Sequence, residues 1–260
     1  MSLPYWIEDT GSNKYIWTKV TIPAKKSIVL YIRKKEGYSP NGDAVFEFFD
    51  DFEQLDTNKW IVYRYANDVN NEVVFENGVV YLTKAVGSRA GLLVSKNDIK
   101  PPFIVHMRFK IGGGTGADGI SFGYMLNDPG GTNRGRYLAF PQGSDIKGYI
   151  IAIDEWYDEI EIRMAGSWTT TGKRYPKSDI DDNNWHTISA ALTKESVEWV
   201  TYDGMKIIEH DSLPSDTGYY KIGLGGATGG STNNHIVDYI FIRKYIEQDL
   251  RFGTISINEF

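Results

Sequence analysis

Hydrophobic and polar residues alternate along most of this chain, and the alternation predicts strands. "PFIVHMRFKIG" (102–112), "YIIAIDEWYDEIEIRM" (149–164) and "HTISAALTK" (186–194) carry the period of two that sends successive side chains to opposite faces. "VVFENGVVYL" (73–82) sets two β-branched runs around Asn77-Gly78, and "VEWVTYDGMKIIEH" (197–210) is built the same way around Asp203-Gly204. Both dipeptides tolerate the positive φ that a two-residue hairpin demands. Between Gly113 and Gly131, "GGTGADGISFGYMLNDPGG" places Ile120, Phe122, Tyr124 and Leu126 at alternate positions, the pattern of a half-buried strand between glycine loops. "HIVDYIFIRKY" (235–245) predicts a strand near the centre of a core. No segment keeps a 3.6-residue period over the ~10–12 residues a helix needs. The expectation is an all-β protein of antiparallel sheets, a sandwich or barrel.

"EGYSPNGDA" (36–44) clusters turn residues and marks a boundary. Upstream, "IWTKVTIPAKKSIVLYIRKK" predicts two strands separated by "IPAKKS". Two strands bury too little to fold alone and should pack on the strands downstream of the boundary. The expected division is a two-strand piece over 1–45, a main body over 46–245, and a last strand or linker over 246–260.

Composition then narrows the chemistry. With 260 residues, 41% hydrophobic, the chain is long enough for a sizeable core. A net charge of -6 offers no basic footprint for nucleic acid. No apolar run approaches the ~18 residues of a membrane helix, so no membrane insertion is expected, and "MSLPYWIEDT" has neither the basic nor the apolar region of a signal peptide. Cysteine is absent, which removes disulfides and thiolate sites. His106, His186, His210 and His235 lack the mutual spacing of a zinc site. No nucleophile elbow, H-E-x-x-H or P-loop occurs. Trp60, Trp185 and Trp199 read as core aromatics at alternating strand positions.

Two resemblances rest on particular stretches. "LPYWIE", "IPA" and "NGDAVFEFFDDFE", within residues 3–50, are similar to the second half of DUF2341, a domain of unknown function found in large surface proteins; the resemblance implies that the chain starts within such a domain. "FFDDFEQLDTNKW", "ADGISFGYML", "DDNNWHTISAAL" and "IGLGGATGGSTNNHIVDYIFIRKY", in that order, resemble the concanavalin A-like jelly roll shared by L-type lectins, laminin-G modules and several glucanases. That resemblance implies a two-sheet antiparallel jelly roll over 46–245 and a carbohydrate or cell-surface glycoconjugate as partner, outside the cell or on its surface.

In L-type lectins an aspartate at the position of Asp118 accepts two sugar hydroxyls. The resemblance therefore nominates Asp118 and Gly119, with Gly131, Tyr137 and the loop residues Thr228, Gly229, Gly230, Asn233 and Asn234, as ligand-binding; Trp156 and Tyr157 offer further aromatic faces. A carboxylate suits the task because it only accepts, through two oxygens, and glycines let backbone approach a ligand. Asp118-Gly119 is equally open to a plain reading as an Asx-type cap on a strand, and the 225–234 loop as a flexible connection. Lectins of this kind position the aspartate with calcium and a transition metal held by a Glu-x-Asp strand. Here Ala152 replaces the glutamate while Asp154 remains, so Ca²⁺ on Asp154 and Asp158 is the candidate cofactor, and a solvated acidic turn is the alternative. Glucanases of this fold use three carboxylates. "DEIEIRM" supplies Glu159 and Glu161, but Arg163 and Met164 stand where the third is needed, and an arginine paired with Glu161 makes a poor general acid. A non-catalytic binding module is the expectation, with a structural or adhesive module without a sugar site as the alternative.

Overall fold

The computed structural model describes residues 2–11, 13–23, 26, 28–31, 37–143, 147–165, 167, 170–212 and 220–246. A hairpin of β1 (Tyr5–Asp9) and β2 (Lys14–Thr18) comes first. A single helical turn, α1 (Gly42–Val45), comes next, where the Asn41 side chain accepts the Ala44 N–H at 3.0 Å. Then come β3 (Phe48–Asp50), β4 (Trp60–Arg64), β5 (Glu72–Glu76), β6 (Val79–Thr83), β7 (Ala90–Ser95), β8 (Phe103–Gly112) and β9 (Gly119–Met125). The remaining strands are β10 (Gly148–Asp154), β11 (Glu159–Met164), β12 (Thr170–Pro176), β13 (Trp185–Leu192), β14 (Ser196–Tyr202), β15 (Met205–Ser212), β16 (Lys221–Ala227) and β17 (Asn234–Lys244).

Among the described residues these strands form two large antiparallel sheets. One has seven strands in the order β12-β11-β10-β9-β16-β7-β4; the other has eight, β15-β14-β13-β8-β17-β6-β5, with β3 also paired to β17. This is the two-sheet sandwich expected from the alternation. Both predicted hairpin turns form as the dipeptides require: Asn77 and Gly78 have φ of 56° and 71°, Asp203 and Gly204 of 48° and 77°. The core lies between the sheets, with Trp60, Phe109, Phe122, Ile153, Leu224 and Ile240 among its members. Asp50 ties the first sheet strand to it by accepting the Trp60 indole N–H at 2.6 Å.

Three expectations need correction. β9 is buried along its whole length, on both faces. Leu138, Ala139 and Phe140 lie across its outer side, so that a Cβ on Gly123 would stand 2.5 Å from the Phe140 ring. The alternation in β9 reports one buried face; a loop distant in sequence buries the other. Of the three tryptophans read as core, Trp60 alone is buried: Trp199 is half-buried, and so is Trp185, which carries the Arg108 guanidinium at 4.8 Å and the Lys110 ammonium at 5.0 Å. The second strand expected upstream of residue 36 does not form at 28–31, and 32–35 lie outside the described residues. Residues 247–260, the site of the expected last strand or linker, fall outside the described residues.

The β1–β2 hairpin covers the outer face of the eight-stranded sheet at β17. Trp6 makes edge contacts with Phe46, Phe49, Tyr239 and Phe241 at centroid distances of 5.1–5.6 Å. Beside it Glu8 is buried and accepts from the Tyr239 hydroxyl at 2.6 Å and the Trp17 indole N–H at 2.8 Å. The hairpin is thus fastened by an aromatic cluster and a satisfied buried carboxylate. Trp6→Ala is expected to cost about 3 kcal/mol or more, read as a lower urea midpoint; a loss below about 1 kcal/mol would mean that the hairpin adds nothing to the stability of the sandwich.

Candidate functional site

Three connections meet at one end of the seven-stranded sheet: 113–118 before β9, 155–158 between β10 and β11, and 228–233 between β16 and β17. The first and third are joined through backbone. Thr115 and Gly116 N–H groups donate to the Thr232 carbonyl at 2.5 and 3.2 Å, and the Thr232 N–H returns to the Thr115 hydroxyl at 3.0 Å. Gly114 is required here, since a Cβ would stand 2.0 Å from the Thr232 carbonyl oxygen. The second connection joins through Asp118 itself, whose N–H donates to Ala227 at 2.9 Å and whose carbonyl accepts from the Glu155 N–H at 3.1 Å. The Ala117–Asp118 peptide is cis.

Asp118 is 7% exposed, and its Oδ2 has no hydrogen-bond partner among the described residues. Gly229 lies against that oxygen, with a Cβ there standing 3.0 Å from it. Burial lifts the Asp118 carboxyl to about 6; the nearby Asp154 and Glu155 add to the rise, while His235 and Arg134 oppose it. A buried carboxylate oxygen without a donor is costly. The remaining nominees divide by what their polar groups do. Gly229 and Gly230 are at the surface of the third connection beside Asp118, and Gly230 is exposed. Thr228 is fully buried, its hydroxyl donating to the Val86 carbonyl at 2.7 Å and accepting from the Arg89 N–H at 2.9 Å. Asn234 accepts from the Ala85 N–H at 3.0 Å and donates to the Gly112 carbonyl at 3.1 Å, and Asn233 accepts from the Gly114 N–H at 2.7 Å. These three side chains bind the loops together. Gly119 serves close packing, because a Cβ would stand 2.1 Å from the Ile153 carbonyl oxygen. Gly131 and Tyr137 belong to the segment 128–140, whose Arg134 is the residue that acts on Asp118; Arg134 donates to the Ser88 hydroxyl at 2.8 Å.

Below Asp118 runs a buried chain that sequence spacing does not suggest. Glu155 accepts from His235 Nε2 at 2.6 Å and from the Asn233 amide, and His235 Nδ1 meets the Thr83 hydroxyl at 2.6 Å. His235, Thr83 and Glu155 come from distant parts of the chain, and only the β17–β6 pairing brings the first two together.

The acidic run is a solvated turn only in part. Asp154 is buried, and its Oδ1 accepts the Trp156 and Tyr157 N–H groups at 3.0 and 3.1 Å. Its Oδ2 is held by Arg163, which also holds Glu161 and donates to the Arg136 carbonyl at 3.0 Å. Burial works against the arginine's charge, but the two carboxylates outweigh it and raise its pKa. Asp158 is exposed on the turn with φ 54°, apart from this cluster. The Asp154 oxygens are therefore engaged by a guanidinium and by backbone donors, Asp158 stands apart from them, and the donor set does not fit Ca²⁺. Trp156 and Tyr157, next along from Glu155, are 58% and 45% exposed.

The unpartnered carboxylate sets a test of its role. For a carboxyl raised from 3.8 to about 6 on folding, the native state holds more protons than the unfolded chain across that window. Stability then falls as pH rises through it, and the full cost is present above pH 6. Asp118→Asn keeps the shape and removes the charge, so it should stabilise the protein by about 1–3 kcal/mol near neutral pH and by little near pH 4. Urea unfolding at the two pH values measures this. Destabilisation at both would mark the carboxylate as a structural acceptor.

Comparison with known proteins bears on the fold. Residues 1–63 match DUF2341, a domain of unknown function. Curated protein sequences give no match. Among solved structures, the exoplasmic/lumenal domain of VIP36 bound to Ca²⁺ and Man3GlcNAc superposes with a TM-score of 0.59 at 15% identity, over 78% of this chain and 93% of that one. Metal-free lectin I-B4 from Griffonia simplicifolia gives 0.59 at 16% identity, over 75% and 98%. The potassium-bound carbohydrate recognition domain of Emp46p gives 0.59 at 12%, over 76% and 96%. The chain has the concanavalin A-like fold of the L-type lectins, with a DUF2341 match over its first 63 residues.

Proposed function

We propose that this chain is a non-catalytic, lectin-like module that binds carbohydrate at Asp118. The observation that carries the reading is Asp118 Oδ2, a buried carboxylate oxygen without a donor among the described residues, lying against Gly229, while the Asp118 carbonyl holds the turn that carries the exposed Trp156 and Tyr157. Sugar hydroxyls supply the missing donors, and charge-assisted bonds of this kind are about twice as strong as neutral ones. Gly229 and Gly230 let a ligand approach backbone, and Trp156 or Tyr157 offers a face for the apolar side of a ring. The three similar structures are lectin or carbohydrate-recognition domains, one with Man3GlcNAc bound. Placement outside the cell or on its surface accords with the exoplasmic/lumenal domain of VIP36.

Hydrolysis is not supported. Glu161 is buried against Arg163, and Glu159 pairs with Arg174 at 3.2 Å. A retaining pair needs a protonated acid facing a nucleophile about 5–5.5 Å away across an open cleft, whereas Glu161 is 2% exposed and closed off by the Arg163 guanidinium. The second reading, an adhesive or structural module without a sugar site, draws on one observation: Ile28, Val29, Leu30 and Tyr31 form an exposed apolar run, with Val29 at 75% and Tyr31 at 80%.

A glycan array separates the two. Wild-type protein should bind a restricted set of glycans, Asp118→Asn should lose at least roughly tenfold in affinity for a ligand that uses the carboxylate, and Trp156→Ala should weaken binding without lowering the melting temperature. Wild-type silence on every glycan would favour the adhesive module.

A further inference from the structure

The fold family's metal centre and this chain's residues disagree, and the disagreement has a specific form. On the outer face of the seven-stranded sheet, Ala152 pairs directly with Glu161, and Ile150 with Arg163. Directly paired residues share a face. The Arg163 side chain is 2% exposed and reaches along the sheet to Asp154. Its fork meets Asp154 through one nitrogen, Glu161 through a second and the Arg136 carbonyl through the third. Glu155, a further buried acid at this end, is satisfied separately by His235 and Asn233.

We propose that Arg163 takes the place of a structural cation in this site, so that the binding loops are set without a divalent metal. The coupling runs through named bonds. Arg163 holds one oxygen of Asp154; the other oxygen accepts the Trp156 and Tyr157 N–H groups and so fixes the 154–158 turn. That turn presents the Glu155 N–H to the Asp118 carbonyl and carries the exposed aromatics. Arg163 is therefore a positioning residue: it touches no ligand and shapes the turn that adjoins one. A planar guanidinium suits the task, since it bonds two carboxylates at fixed angles and stays charged when buried. The part concerning ligand affinity rests on the carbohydrate reading above; the part concerning metal does not.

The experiment uses the whole chain, stripped with EDTA and then titrated with Ca²⁺ or Mn²⁺ while melting temperature and heat of binding are followed. Wild-type protein should show no saturable heat and no rise in melting temperature. Either response would overturn the proposal. Arg163→Ala leaves two buried carboxylates facing each other and should gain what the wild type lacks: stabilisation by Ca²⁺, and Tb³⁺ luminescence sensitised by the adjacent Trp156. An Arg163→Ala protein that folds equally well without Ca²⁺ and ignores it when added would also overturn the proposal. Where that variant does not fold, Arg163→Lys takes its place; it keeps the charge, loses the fork, and should weaken glycan binding several-fold with no response to Ca²⁺. On the glycan array, wild-type binding should survive EDTA, and loss in EDTA counts against the proposal. Silence with and without EDTA would reject the carbohydrate reading alone, leaving the metal titration to decide the role of Arg163.

Discussion

Asp118, Asp154, Glu155 and Glu161 are all buried at one end of the sandwich, and the architecture of that end depends on how their charge is met. Removing a carboxylate from water is affordable only with cations or several donors around it. Three of the four are answered from inside the protein: Asp154 and Glu161 by Arg163 and the turn backbone, Glu155 by His235 and Asn233. The fourth, Asp118, keeps an oxygen that nothing in the described structure answers. Function is read from that contrast, because internal pairing elsewhere makes the remaining unpaired acceptor informative.

The second condition is close approach of backbone. Gly114 against the Thr232 carbonyl, Gly119 against Ile153 and Gly229 against Asp118 each sit where a Cβ would collide or crowd. These contacts pull three connections onto one point. The same economy holds on the outer face of the sheet, where Gly123 and Gly223 admit the Phe140 ring, at 2.5 and 2.7 Å from a would-be Cβ. The covering segment then continues back to Arg134, so the packing of a core strand and the electrostatics of the site share one piece of chain.

The hairpin at the start of the chain obeys a different logic. It brings a tryptophan and a carboxylate to the outer face of β17, where Trp6 completes a cluster of rings and Glu8 completes the hydrogen bonding of Tyr239 and Trp17. The DUF2341 match runs through this hairpin and on into β4, across the boundary that turn chemistry suggests near residue 40. Hairpin and sandwich are joined by buried side chains, and composition along the chain carries no trace of that.

Alternation, two Asx-Gly dipeptides and the lack of helical period were enough to determine strands, hairpin turns and a sandwich, because these depend on neighbours within a few residues. Asp118 stood out for the same reason, as a local departure from an apolar pattern. The pairing of Arg163 with Glu161 was legible too, two positions apart on one strand face. The roles of Thr228, Asn233 and Asn234 were not: their amides and hydroxyl were free for a ligand in the sequence and are bound to Ala85, Arg89, Gly112 and Glu155 in the fold. Nor were His235 beneath the site, Arg134 beside it, or the burial of both faces of β9. Each of these depends on strands and loops separated by tens of residues along the chain, and only the closing of the two sheets brings them within hydrogen-bonding or packing distance.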